Sequence, residues 1–146
     1  MRFYIATDHA GYSVKAFVIE HLEQKGYEVI DLGPYSDERV DYPDFAKKLC
    51  HEVVQDDQSL GVLICGTGIG ISIAANKIDG IRAALCHDAF TAQLCKEHND
   101  ANVLCFGERV VGKGVISSML DAFCDASFAG GRHTKRVQKI GTMRSE

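Results

Sequence analysis

The sequence predicts an α/β protein wound around a parallel sheet. Three observations carry the prediction. Apolar runs of 4–6 residues alternate with helical-period segments of 9–14 residues along the chain, the pattern of repeated strand–helix–strand units. No linker, internal repeat or low-complexity stretch interrupts the alternation. The 146 residues are 46% hydrophobic and 25% charged, a length and balance that suit one domain over residues 1–146 with a substantial core.

Phe3–Thr7 is the first expected strand and Tyr12–Lys25 the first helix. In that helix Val14, Phe17, Val18, His21 and Leu22 form one apolar stripe, with Lys15, Glu20 and Glu23 expected off it. A strand at Glu28–Asp31 and a helix at Asp44–Gln55 come next. Pro43 disfavours helix at Tyr42 and suits the first turn of the helix that follows. Between them Leu32–Tyr42 is the one long irregular stretch, of a length that in a small α/β domain is often functional. Gly61–Cys65 is a buried strand leading into a helix at Ile69–Lys77. Arg82–Cys86 and Asn102–Phe106 are the remaining strands, with Ala89–His98 as the helix between them. A helix from about Gly112 to Asp125 and a last one beginning near Arg132 complete the order.

Composition narrows the function classes. The longest unbroken apolar run, Val62–Cys65, is far short of the roughly 20 residues of a membrane span. The amino end lacks the shape of a signal peptide, so a cytoplasmic location is expected. The six cysteines have no metal-knuckle spacing and are expected as reduced thiols, Cys86 and Cys105 among them as small core residues. No metal and no cofactor is expected. The net charge of −4 argues against general nucleic-acid binding. Residues 126–145 nevertheless hold no acid, and carry Arg132, Lys135, Arg136, Lys139 and Arg144. One concentrated basic segment on an acidic protein points to a local anion site.

Ligands of open parallel sheets bind beyond the carboxyl ends of the strands. The strongest signal there is Cys65-Gly66-Thr67-Gly68-Ile69-Gly70, where a buried strand runs into three alternate glycines and then a helix. Backbone amides in such a loop, with the helix dipole, favour an anion. The spacing fits neither a P-loop nor the dinucleotide fingerprint, and Ile71 stands where a cysteine phosphatase would need arginine. Cys65, at the strand end before a helix amino terminus, is positioned to be stabilised as a thiolate. The bland alternative is a tight turn with a structural thiol. On the last helix, Arg132, Lys135, Arg136 and Lys139 fall at i, i+3, i+4 and i+7, and Arg132 with Arg136 can grip one phosphate. The alternative for that stripe is a solvated face. Asp8-His9 with Gly11, and His98-Asn99-Asp100, are weaker signals alone. His21 is expected to pack and His51 to be exposed, with His87 open.

Read together, these segments resemble the family of B-type ribose-5-phosphate isomerases, which also holds galactose-6-phosphate and allose-6-phosphate isomerases. The resemblance rests on Asp8-His9-Ala10-Gly11, Asp41-Tyr42-Pro43, Cys65 through Ser72, Ala74-Ala75-Asn76-Lys77, Gly80-Ile81-Arg82-Ala83, His98 through Leu104, Gly107-Glu108-Arg109-Val110 and Gly131-Arg132-His133, in order over nearly the whole chain. It implies a three-layer α/β/α fold with a five-stranded, parallel, Rossmann-like sheet and a carboxyl-terminal helix that reaches a partner subunit. It further implies a homodimer or dimer of dimers with shared active sites, and metal-free interconversion of an aldose and a ketose phosphate. Some relatives use a glutamate further along the loop in place of the cysteine; Ile69–Ser72 holds none, so this chain follows the cysteine pattern.

The roles the resemblance implies are as follows. Cys65 is the base that moves a proton between C2 and C1 of ribose 5-phosphate through an enediolate. The amides of Gly66, Gly68, Ile69 and Gly70 hold the enediolate oxygen, and Thr67 relays a proton. His98 opens the sugar ring with help from Asp8. Tyr42 and Asn99 bind hydroxyls. His9, Arg109, Arg132, His133 and Arg136 hold the phosphate, some of them from the neighbouring subunit. Two rivals remain at this point: a six-carbon sugar phosphate as substrate, or a non-catalytic phosphate- or nucleotide-binding module.

Overall fold

The computed structural model describes residues 1–143, which leaves Arg144 of the basic segment outside the described residues. Its elements are β1 (Arg2–Thr7), α1 (Tyr12–Gln24), β2 (Glu28–Asp31), α2 (Tyr42–Gln55), β3 (Ser59–Cys65), α3 (Ile69–Ala75), β4 (Ala83–Leu85), α4 (Ala89–Asn99), β5 (Val103–Gly107), α5 (Lys113–Asp125) and α6 (Arg132–Gly141). The five strands are all parallel, in the order β2-β1-β3-β5-β4.

Alternation along the strands builds two cores. Phe3 and Ile5, Val62 and Ile64, and Leu104 and Phe106 face one way, against Val14, Val18 and Leu22 of α1, Ala92 and Cys95 of α4, and Ile116, Met119 and Phe123 of α5. Tyr4 and Ala6, Leu63 and Cys65, and Val103 and Cys105 face the other way, against Leu49, Cys50 and Val53 of α2 and Ile71 and Ala75 of α3. The central strand β3 is buried along its whole length, as a sheet covered on both faces requires. The expected three-layer α/β/α fold is therefore observed. Helices α1, α4 and α5 thus cover one face of the sheet and α2 and α3 the other. Among the described residues no helix is long and apolar enough to cross a membrane.

The chain leaves β1 toward β2 in one direction and returns past it to β3 in the other. The sheet order therefore switches between β1 and β3, and the crevice of the fold opens beyond Thr7 and Cys65. The edge strand β4 is short, and the side chain of Asn76 brackets it, donating to Ala83 O at 2.8 Å and accepting from Ala83 N at 2.9 Å.

Two local expectations need correction. Helix α2 begins at Tyr42, with Asp41 as its cap, because Pro43 fills a first-turn position whose missing N–H costs nothing. Lys15, expected off the apolar stripe of α1, is buried at 4% exposure. Its ammonium bonds Asp31 Oδ1 at 3.0 Å and the Pro34 carbonyl, and lies over the rings of Tyr12 and Tyr35. Lys15 thus ties α1 to the end of β2 and to the loop beyond it. Replacing it with Met should leave the Pro34 carbonyl and one Asp31 oxygen without their cation. The expected loss is about 1–3 kcal/mol of stability, read as a lower urea midpoint at unchanged slope.

Candidate active site

Strand β3 delivers Cys65 to the crevice with 4% of its surface exposed. The chain then turns sharply, and Gly68 takes a left-handed conformation (φ +79°) that lets the amides after it point back. Gly68 N–H donates to Cys65 Sγ at 3.1 Å, and Ile69 N–H donates to Thr67 Oγ1 at 3.2 Å. The sulfur and the hydroxyl are both held by amides of one loop, with the Thr67 side exposed to solvent. A Cβ on Gly68 would meet the Phe106 backbone at 2.7 Å, so the loop is seated directly on β5.

Three neighbouring segments close around this turn. Asp8, 5% exposed, accepts from Ala10 N at 2.9 Å and Gly11 N at 3.0 Å and shapes the turn into α1. Gly11 lets that turn press on β3, where a Cβ would lie 2.5 Å from Ile64 O. His9 Nδ1 lies 3.2 Å from both the N and the O of Val40, which draws the loop after β2 over the end of β1. The ring of Tyr42 lies on Gly70, where a Cβ would sit 2.5 Å from Tyr42 Cζ. The guanidinium of Arg109 lies beside Gly66, 3.0 Å from where a Cβ would stand, and Arg109 N donates to Gly66 O at 3.0 Å. Asp8, His9, Tyr42, Cys65 through Gly70 and Arg109 therefore share one end of the sheet. Gly70→Ala should push the Tyr42 ring aside. We expect a KM increase of about 2–12-fold, the value of one neutral hydrogen bond, with a smaller change in kcat.

The remaining predicted residues lie elsewhere on the chain. Helix α4 runs back against the strands for 11 residues, about 16 Å, so His98 and Asn99 emerge at the opposite end of the sheet. Asn102, just beyond, accepts from Gly61 N at 2.9 Å and donates to Arg82 O at 3.0 Å, at the amino-terminal ends of β3 and β4. Helix α6 joins this second group. The His98 and His133 rings stack with centroids 4.3 Å apart, and Ala129 N donates to Glu97 O at 2.9 Å. His133 is held below the ordinary histidine value of 6.5 by lost hydration first, then by electrostatic interaction with His98, Arg132 and Arg136. Arg132 and Arg136 are exposed. A cavity of about 480 Å³ adjoins this end, its walls including Asn76, Arg82, Asn99, Ile140 and Met143. A single chain therefore does not bring His98, Asn99, Arg132, His133 and Arg136 to Cys65.

The other histidines and cysteines separate from these groups. His21 is half-buried and bonded to Asp121 at 2.8 Å, while His51 and His87 are exposed. All six cysteines are free thiols. Burial pushes Cys50 up to about 12 and Cys124 up to about 11, so neither supplies a thiolate near neutrality. Sequence reasoning missed Lys15 and the Val40 backbone that holds His9. Lys15 had a signal: it lies three residues before Val18 and seven before Leu22, on the buried side of α1. Val40 had none, since its contact is through backbone atoms.

Known proteins share this arrangement. The chain matches the Ribose/Galactose Isomerase family over residues 3–140. It is 49% identical over 133 residues to ribose-5-phosphate isomerase B of Escherichia coli strain K12, covering 91% of this chain and 89% of that protein. The structure of Clostridium thermocellum ribose-5-phosphate isomerase B superposes with a TM-score of 0.92 at 50% identity, over 97% of this chain and 95% of that one. Ribose-5-phosphate isomerase B from Mycoplasma genitalium, solved with bound ribulose 5-phosphate, gives a TM-score of 0.92 at 44% identity, over 96% of this chain and 93% of that one. With a family match from the first strand into the last helix, and close agreement in both sequence and fold, this chain belongs to the ribose/galactose isomerase family.

Proposed function

We propose that the protein interconverts D-ribose 5-phosphate and D-ribulose 5-phosphate by proton transfer through an enediolate. The observation that carries this is the Cys65 sulfur beneath the Gly68 amide, in a crevice flanked by Tyr42 and Arg109. The relative that holds ribulose 5-phosphate has the same fold over almost the whole chain.

The furanose first opens, with a proton passing from the anomeric hydroxyl to the ring oxygen. The partner's His98 and this chain's Asp8 serve that step, since an imidazole gives and takes protons near neutrality. Cys65 Sγ, as thiolate, then takes the proton on C2, and the electron pair flows into the C1 carbonyl to form the enediolate. The loop amides from Gly66 to Gly70 stabilise its oxygen as a preorganised hole. Thr67 carries a proton between O1 and O2, and Cys65 returns its proton to C1. Every step uses groups of the protein, and a chelator such as EDTA should leave the rate unchanged.

Completing this site takes a second copy of the chain. Ile69 and Ile73 are 51% and 59% exposed and four apart on α3, so they share one face. That face runs from the Cys65 loop toward Asn76 and the cavity beside Asn99. A two-fold axis near Ile73 lays the His98 end of one copy over the Cys65 end of the other, an isologous contact that makes two equal sites. His9 and Arg109 then meet Arg132, His133 and Arg136 of the partner subunit around the phosphate. Arg132→Ala or Arg136→Ala should each raise KM about 10–100-fold, the loss of a charge-assisted hydrogen bond of about 1.5–3 kcal/mol. An unchanged KM would return the stripe to solvent.

The direct test is the purified chain with ribose 5-phosphate, allose 6-phosphate and galactose 6-phosphate in parallel, following ketose formation. Turnover of ribose 5-phosphate above the six-carbon sugars is the expected result. Preference for a six-carbon phosphate moves the substrate within the family. Binding without turnover of any of them overturns the enzyme.

A further inference from the structure

Away from the Cys65 crevice, two other thiols meet where β4 hands over to α4. Cys86 follows the last residue of β4, and Cys95 lies on the buried face of α4. They are 2% and 7% exposed, and both line a cavity of about 320 Å³ that also touches Thr91 and Asn99. The two side chains lie close enough on this wall to influence each other's protons, and Thr91 adjoins Cys86 there. Cys95 S–H also reaches Ala92 O at 3.2 Å. Neither sulfur has a role in the proton transfer described above. Two neighbouring thiols on the wall of one cavity large enough for a small oxidant are more than the core packing of two small residues requires.

We propose that Cys86 and Cys95 form a peroxide-reactive dithiol that closes to an intrasubunit disulfide. Cys86 is the attacking sulfur. The nearness of Cys95 and Thr91 lowers its proton affinity, whereas Cys95 is pushed upward by the same neighbour. The Cys86 thiolate attacks one oxygen of hydrogen peroxide, the O–O bond breaks, and hydroxide leaves with the bonding pair. Cys86 is now a sulfenic acid. The Cys95 sulfur displaces that oxygen, and its thiol proton leaves with the departing hydroxyl as water. The S–S bond forms, the thiol pair has lost two electrons and the peroxide has gained them. A cross-link made this way is a transient, reducible one, the usual kind where thiols are otherwise kept reduced.

The chain offers a clean measurement. Trypsin cuts after Arg82 and Lys96 and releases residues 83–96 as one peptide that carries both cysteines. The folded protein is treated with graded hydrogen peroxide, denatured in excess N-ethylmaleimide, digested and analysed by mass spectrometry. The expected result is a peptide lighter by two hydrogens that takes no maleimide, and that takes two labels after dithiothreitol. In Cys95→Ser, which cannot close the bridge, dimedone should trap the sulfenic acid on Cys86. The proposal is overturned if the wild-type peptide keeps two free thiols while other cysteines oxidise. It is equally overturned if Cys86 proceeds to sulfinic acid beside a free Cys95. Because the mapping uses no substrate, its outcome is independent of the isomerase assignment.

Discussion

Cys65→Ala should lower kcat about 10²–10⁴-fold, the usual contribution of a positioned general base, with KM for ribose 5-phosphate nearly unchanged. In the proposed mechanism the sulfur acts mainly in the transition state, when the C2 proton is half transferred, so its removal is felt in turnover more than in binding. The turn itself should survive. Alanine fits the inward-facing strand position, and what Gly68 N–H loses is one bond to sulfur at 3.1 Å. Steady-state kinetics and exchange of the C2 proton with solvent deuterium check the result together. Normal exchange in the variant would remove Cys65 from the chemistry.

His98→Ala should be comparably impaired, by about 10²–10⁴-fold on the cyclic substrate, and the two dead variants should rescue each other. In a mixed dimer of the proposed geometry, Cys65 of the His98→Ala chain faces the intact His98 of the Cys65→Ala chain. One site of that dimer is whole and the other carries both lesions. With random pairing, half the dimers are mixed and half their sites are whole, so about a quarter of wild-type activity returns. A site contained within one subunit predicts no recovery at any mixing ratio. The measurement is activity after co-expression or after joint unfolding and refolding. The basis for expecting recovery is that α4 carries His98 to the end of the sheet opposite Cys65.

Strand and helix order was legible because both periods are strong here. The run Ser59–Cys65 is buried at every position and too short for a buried helix, which leaves a strand. The Cys65 loop was legible because alternate glycines between a buried strand and a helix mark a tight turn whose backbone takes conformations that other residues resist. The His98 group was found by resemblance, and its position follows from helix direction, because α4 begins at the crevice end and cannot finish there. What escaped was contact between segments distant in the chain. The burial of Lys15 depends on Asp31 and the Pro34 carbonyl coming to meet it. The His9–Val40 pair depends on a loop folding back. The neighbouring thiols Cys86 and Cys95 lie nine positions apart, too far to advertise their meeting by spacing.

The bracket that Asn76 places on Ala83 also has a bearing on solubility. In a parallel strand, alternate residues turn their peptide groups away from the sheet, and on β4 these are Ala83 and Leu85. An open rim of that kind is a template on which a stray extended segment can polymerise. Here the carboxamide of Asn76 already occupies the donor and the acceptor of Ala83, like a plug left in a socket. A foreign strand arriving at this rim finds one free rung, too few to hold it.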